Sequence, residues 1–159
     1  MKELDSYLND HFAGSVGALE LLAHWIKLYR DKPLGTFFTD LESEIRADQD
    51  TLRDLMRRLG VEESKARQAG AWAAEKLGLA RFVIAGDEPG GLGLALVLEG
   101  LIMGITGKQL LWRALAAANL PKAQGFDFKE LQRRAEEQIK QTEAERIRAA
   151  RRAFPHPVG

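Results

Sequence analysis

The chain has 159 residues, enough for one domain with a sizeable core. Its 23 basic and 23 acidic side chains cancel, so no overall field argues for nucleic acid or an anionic membrane as a partner. Cysteine is absent, which excludes disulfides, thiolate metal sites and cysteine nucleophiles and fits a cytoplasmic setting.

Helical periodicity runs through almost the whole chain. The first predicted helix covers 3–29, with Leu4, Leu8, Phe12, Leu19, Leu22 and Ile26 on its apolar face. Its acidic, amphipathic start does not read as a signal peptide. Trp25 and Tyr29 fall on the edge of that face. Arg30-Asp31-Lys32-Pro33 ends the helix, because the residue before proline is pushed out of the helical region. The second helix covers 34–59 and stops at Gly60. So short a connection predicts an antiparallel pair.

A weaker helical pattern at 62–85 is followed by the clearest loop, Asp87-Glu88-Pro89-Gly90-Gly91. The third long helix, 92–118, is apolar nearly all round. Glu99, Lys108 and four glycines between Leu92 and Leu111 argue for a buried bundle helix over a membrane span. The Gly90–Gly93 stretch reads as a hinge for close packing, since it follows no strand and has no Walker lysine. Helix four, 128–154, opens on the strongest start signal. Asp127 caps it, Glu130 completes a capping box, and Phe126 staples onto Leu131. Pro155-His156-Pro157 closes it. The expected fold is therefore all-α: one up-down four-helix bundle over 1–159, with a helical crossover between its second and third helices.

One residue breaks the pattern. Phe38, Leu41, Ile45, Leu52, Leu55 and Leu59 mark one face of the second helix, and Asp48 falls near its centre at about 100° per residue. Glu44 lies one turn earlier on the edge. A carboxylate turned to a helical core needs a partner or a metal. Glu99 and Arg113 on the third helix, and Gln138 and Thr142 on the fourth, join Glu44 and Asp48 in a candidate polar layer. Lys108 and Arg113 are the expected cationic partners. With a layer that only fixes register, Asp48→Leu is expected to leave the fold intact.

Asp5-Ser6-Tyr7-Leu8-Asn9-Asp10, Phe38-Thr39-Asp40-Leu41-Glu42-Ser43-Glu44 and the helix lengths resemble the ferritin-like superfamily, particularly its small bacterial members. In metal-binding members two helices each give a Glu and two give Glu-x-x-His. The resemblance implies such a ligand set, and this chain departs from it. Ala47 stands where a histidine would follow Glu44, and Ile139 and Lys140 stand where one would follow Glu136 and Glu137. Glu20 and His24 point away from the apolar face of the first helix. His11 lies at that face's boundary, and no serine has a histidine–acid pair to activate it. The expectation is a non-enzymatic, metal-free and cofactor-free bundle. It acts through protein contacts as a homodimer, without nucleic acid or membrane. The alternatives are a degenerate carboxylate metal site at Glu44, Asp48 and Glu99, and a small-ligand-binding regulator with its site in the bundle core.

Overall fold

A computed structural model describes residues 2–64 and 91–154. They form an all-α four-helix bundle: α1 (Lys2–Leu28), α2 (Pro33–Leu59), α3 (Leu92–Ala118) and α4 (Phe128–Ala153), with a single 3-10 turn at Pro121–Ala123. The helix boundaries lie within a residue of the sequence expectation. Of the expected crossover helix at 62–85, residues 62–64 are irregular, and the rest lies outside the described residues, as do Asp87–Gly90 and Pro155-His156-Pro157.

The helix ends follow from local chemistry. Pro33 occupies the first turn of α2, where its missing N–H is no loss. Gly60 closes α2 in the left-handed region at φ 75°, and its N–H and that of Val61 return to Arg57 O and Met56 O. At α4, the Glu130 N–H donates to Asp127 Oδ1 at 2.9 Å, as the capping reading expects. Partly buried Phe126 packs on the cluster that holds Leu131.

α1 and α2 form an antiparallel hairpin. Its turn passes through Asp31 at φ 63°, and Gly35 approaches the turn so closely that a Cβ there would stand 2.2 Å from Tyr29 O. At the far end, Asn9 donates to Glu62 O at 3.2 Å and accepts from the Ser64 N–H at 2.9 Å. α3 and α4 form a second antiparallel hairpin, from Trp112 beside Phe128 near the connection to Glu99 near Arg146. The Arg58 guanidinium, 4.7 Å from the Phe126 ring centroid, ties that connection to α2.

The apolar core falls into two clusters. One gathers Leu22, Trp25, Phe38, Ile45, Leu98 and Ala149; the other gathers Leu8, Phe12, Leu55, Trp112, Leu115 and Leu131. Trp25 and Tyr29 are buried, stacked at 5.8 Å and closing on Phe38, which corrects their expected place on a helix edge. The buried arc of α1 is wider than its sequence stripe, because α2 and α3 both cover it. α3 is long and apolar enough to cross a membrane by length and composition, and 39% of its most apolar window is buried in the bundle. Met103 and Leu110 remain exposed.

Candidate functional site

Between the two apolar clusters lies a polar layer. On α1 the boundary falls between Val16 and Leu19, on α2 at Asp48 and Gln49, and on α3 at Lys108. Asp48 is 1% exposed and takes three partners from α3 and α4. Lys108 Nζ lies 2.5 Å from Oδ2, Gln138 Nε2 donates to the same oxygen at 3.1 Å, and an Arg134 guanidinium nitrogen stands 2.9 Å from Oδ1. Lys108 also donates to Gln138 Oε1 at 2.5 Å, so ammonium, amide and carboxylate close a triangle. Two cations offset one buried carboxylate, which is the compensation such a group needs. Burial pulls the Lys108 ammonium below the usual lysine range; Asp48, by charge and hydrogen bond, and Glu44, by charge, pull it back up, while Arg134 adds to the lowering.

The structure brings together only part of the expected layer. Asp48, Lys108 and Gln138 meet, and half-buried Glu44 stands one turn away within reach of the Lys108 charge. Thr142 is buried, but its hydroxyl donates to Gln138 O at 2.7 Å rather than to Asp48. Arg113 and Glu99 are corrections. Both are exposed, and Glu99 lies 4.0 Å from Arg146 on the outer surface. An all-apolar helix gives no stripe by which to phase its polar residues, so the sequence could not separate inward Lys108 from outward Arg113. Arg134 and Gln49 were missed. Arg134 sits on the flank of α4 and reaches inward with a long side chain. Gln49 follows Asp48 and donates to Ser15 Oγ at 2.8 Å, and Ser15 in turn donates to Phe12 O at 2.6 Å.

These contacts bear on the metal alternative. Asp48 already faces two cations, Glu99 is on the outside, and among the described residues no three His, Cys, Asp or Glu side chains gather to hold an ion. Glu20 and His24 are exposed, as their phase implies.

Beside the layer a groove of about 280 Å³ opens between α1, α2 and α3. Asp48, Gln49 and Lys108 contribute its polar end; Leu21, Ile45 and Leu101 contribute to its apolar wall. Gly14 on α1 and Gly104 and Gly107 on α3 also line it, and a Cβ added at any of the three would meet nothing within 4 Å. These glycines therefore do not serve close helix packing. Each weakens its helix by roughly 1 kcal/mol relative to alanine and leaves open space in return. Trp112 completes the wall. It is 0% exposed, and its Nε1 has no hydrogen-bond partner among the described residues. A buried donor without an acceptor costs about 1–3 kcal/mol. No protein-family model, curated protein or solved structure matches the chain.

Proposed function

We propose that the protein is a non-enzymatic bundle that binds a small, largely apolar molecule in the groove between α1 and α3. One observation carries this reading: three glycines leave unfilled space around a single groove whose inner end is the Asp48–Lys108 pair. Pockets for small molecules are mostly apolar and pre-formed, with a few placed polar groups, and this groove has that composition. A ferritin-like wiring belongs to the proposal. Two antiparallel hairpins joined by a long connection support it, with the polar layer at the depth where metal-binding members of that superfamily hold their ions.

The test is a thermal melt with 1-decanol as probe. The alcohol should raise the melting temperature of the wild-type protein and have no effect on Gly107→Leu, whose side chain fills the groove. A wild-type melt unmoved by the alcohol refutes ligand binding here. A second reading rests on Met103 and Leu110, which are 62% and 52% exposed and seven residues apart on one face of α3. That apolar face supports homodimerisation. Sedimentation should then show a dimer that Met103→Glu/Leu110→Glu converts to monomer.

A further inference from the structure

The groove's polar end carries the ligand-binding reading on to the chemistry of the ligand, and the head group assigned to that ligand rests on that reading. We infer that the ligand is an apolar chain or ring carrying a carboxylate head, held by Trp112 Nε1 and Lys108 Nζ at the inner end of the groove. Two unspent donors point to that head. The first is the Trp112 indole N–H, buried in the groove wall without an acceptor among the described residues. The second is on Lys108: an ammonium group has three N–H donors, and two of them go to Asp48 Oδ2 and Gln138 Oε1. Lys108 and Trp112 are four residues apart on α3, so they lie one above the other on the same helix face, and both line the groove. A carboxylate offers two acceptor oxygens and suits such a pair of donors.

Asp48 pairs with two cations, Lys108 and Arg134, of which only Lys108 lines the groove. Asp10 at the groove wall and half-buried Glu44 one turn off oppose that balance, so the preference for an anion rests on the two donors. Hydrogen bonds to an ionised acceptor are about twice as strong as neutral ones, so a carboxylate benefits more from Trp112 than a hydroxyl does. An ammonium head offers no acceptor and meets Lys108 as a like charge.

Calorimetric titration of the full chain with decanoate, 1-decanol and decylammonium, each below its micelle concentration, tests the inference. Decanoate should bind at least about tenfold tighter than decylammonium, as expected where only the carboxylate accepts charge-assisted bonds from the two donors. Trp112→Phe should lose most of that preference. In the wild-type protein, decanoate should move the Trp112 indole N–H resonance downfield, a readout that does not depend on the variant folding. Equal binding of decanoate and decylammonium, with an unmoved indole resonance, overturns the carboxylate head and leaves the groove a binding site. Failure of all three probes to bind the wild-type protein removes the binding reading itself, and the head group with it.

Discussion

At the scale of single residues, Asp48 carries the most consequence. From sequence alone its replacement by leucine is expected to leave the fold intact, because the layer is read as one that only fixes register. The partner is a lysine with only 15% of its side chain exposed, and that reverses the expectation. Asp48→Leu leaves the buried Lys108 charge hydrogen-bonded only to Gln138, with half-buried Glu44 one turn away, a change that costs about 3 kcal/mol. Urea denaturation should show that loss, and Asp48→Leu/Lys108→Met should recover most of it, since neither charge is then left behind. His11 gives a second residue-scale prediction. It lies half-buried edge-on to Tyr7 at 4.7 Å, and burial lowers its pKa below the ordinary histidine value of 6.5, against an opposing pull from Asp10. The unfolded chain then binds a proton more readily than the folded one. Stability is full above the unfolded pKa and falls as the pH drops below about 6.5 through the folded value. Melts between about pH 7.5 and about pH 5 should show the decline for wild type, and His11→Gln should flatten it. Asp48 and Gln138 were legible because their spacing sets them on or near apolar faces, whereas Lys108 stood only as an alternative to Arg113 on a helix with no stripe to phase it. Arg134 was not, because a flexible cationic side chain enters a core from a flank that the helical phase marks as surface.

At the scale of elements, the four helices were readable almost to the residue, since proline, glycine and capping aspartate act locally. What remained hidden depends on contact between elements. Gly35 illustrates it: in sequence it is a weak point in the first turn of α2, and in space it is the only residue that fits against Tyr29 O. Gly35→Ala should destabilise the hairpin by about 2–3 kcal/mol, because the backbone must move apart. Gly104→Ala and Gly107→Ala should do the opposite. Their new methyl groups enter open space, and alanine stabilises a helix interior by roughly 0.5–1 kcal/mol over glycine. Parallel urea titrations of the three variants measure the contrast. Equal losses at all three would mean that the groove glycines pack against something as tightly as Gly35 does. The same glycines thin an apolar run in the sequence, where they argue only for a buried bundle helix over a membrane span. Only the spacing of α1 from α3 assigns them to a groove.

At the scale of the molecule, the polar layer divides one bundle into two apolar cores. Above it Trp25, Tyr29 and Phe38 interlock; below it Trp112, Phe126 and Phe128 do. Apolar stripes alone tolerate sliding of one helix along another by a turn, because leucine meets leucine again. The Lys108–Asp48–Gln138 triangle joins α2, α3 and α4 at one depth, and a slip of one turn leaves a carboxylate and an ammonium buried apart. The layer thus costs desolvation and supplies alignment. Replacing all three at once, as Asp48→Leu/Lys108→Leu/Gln138→Leu, removes both effects. Arg134, with 31% of its side chain exposed, can then turn to solvent. The triple variant should melt at or above the wild-type temperature, because well-packed leucines replace buried charges at no net loss. Its amide resonances should broaden or double where those of the wild type are single, since two registers become close in energy. A triple variant that is stable and still gives one sharp set of resonances would show that helix lengths and connections align the bundle without the layer. The layer's remaining role would then be the inner end of the groove.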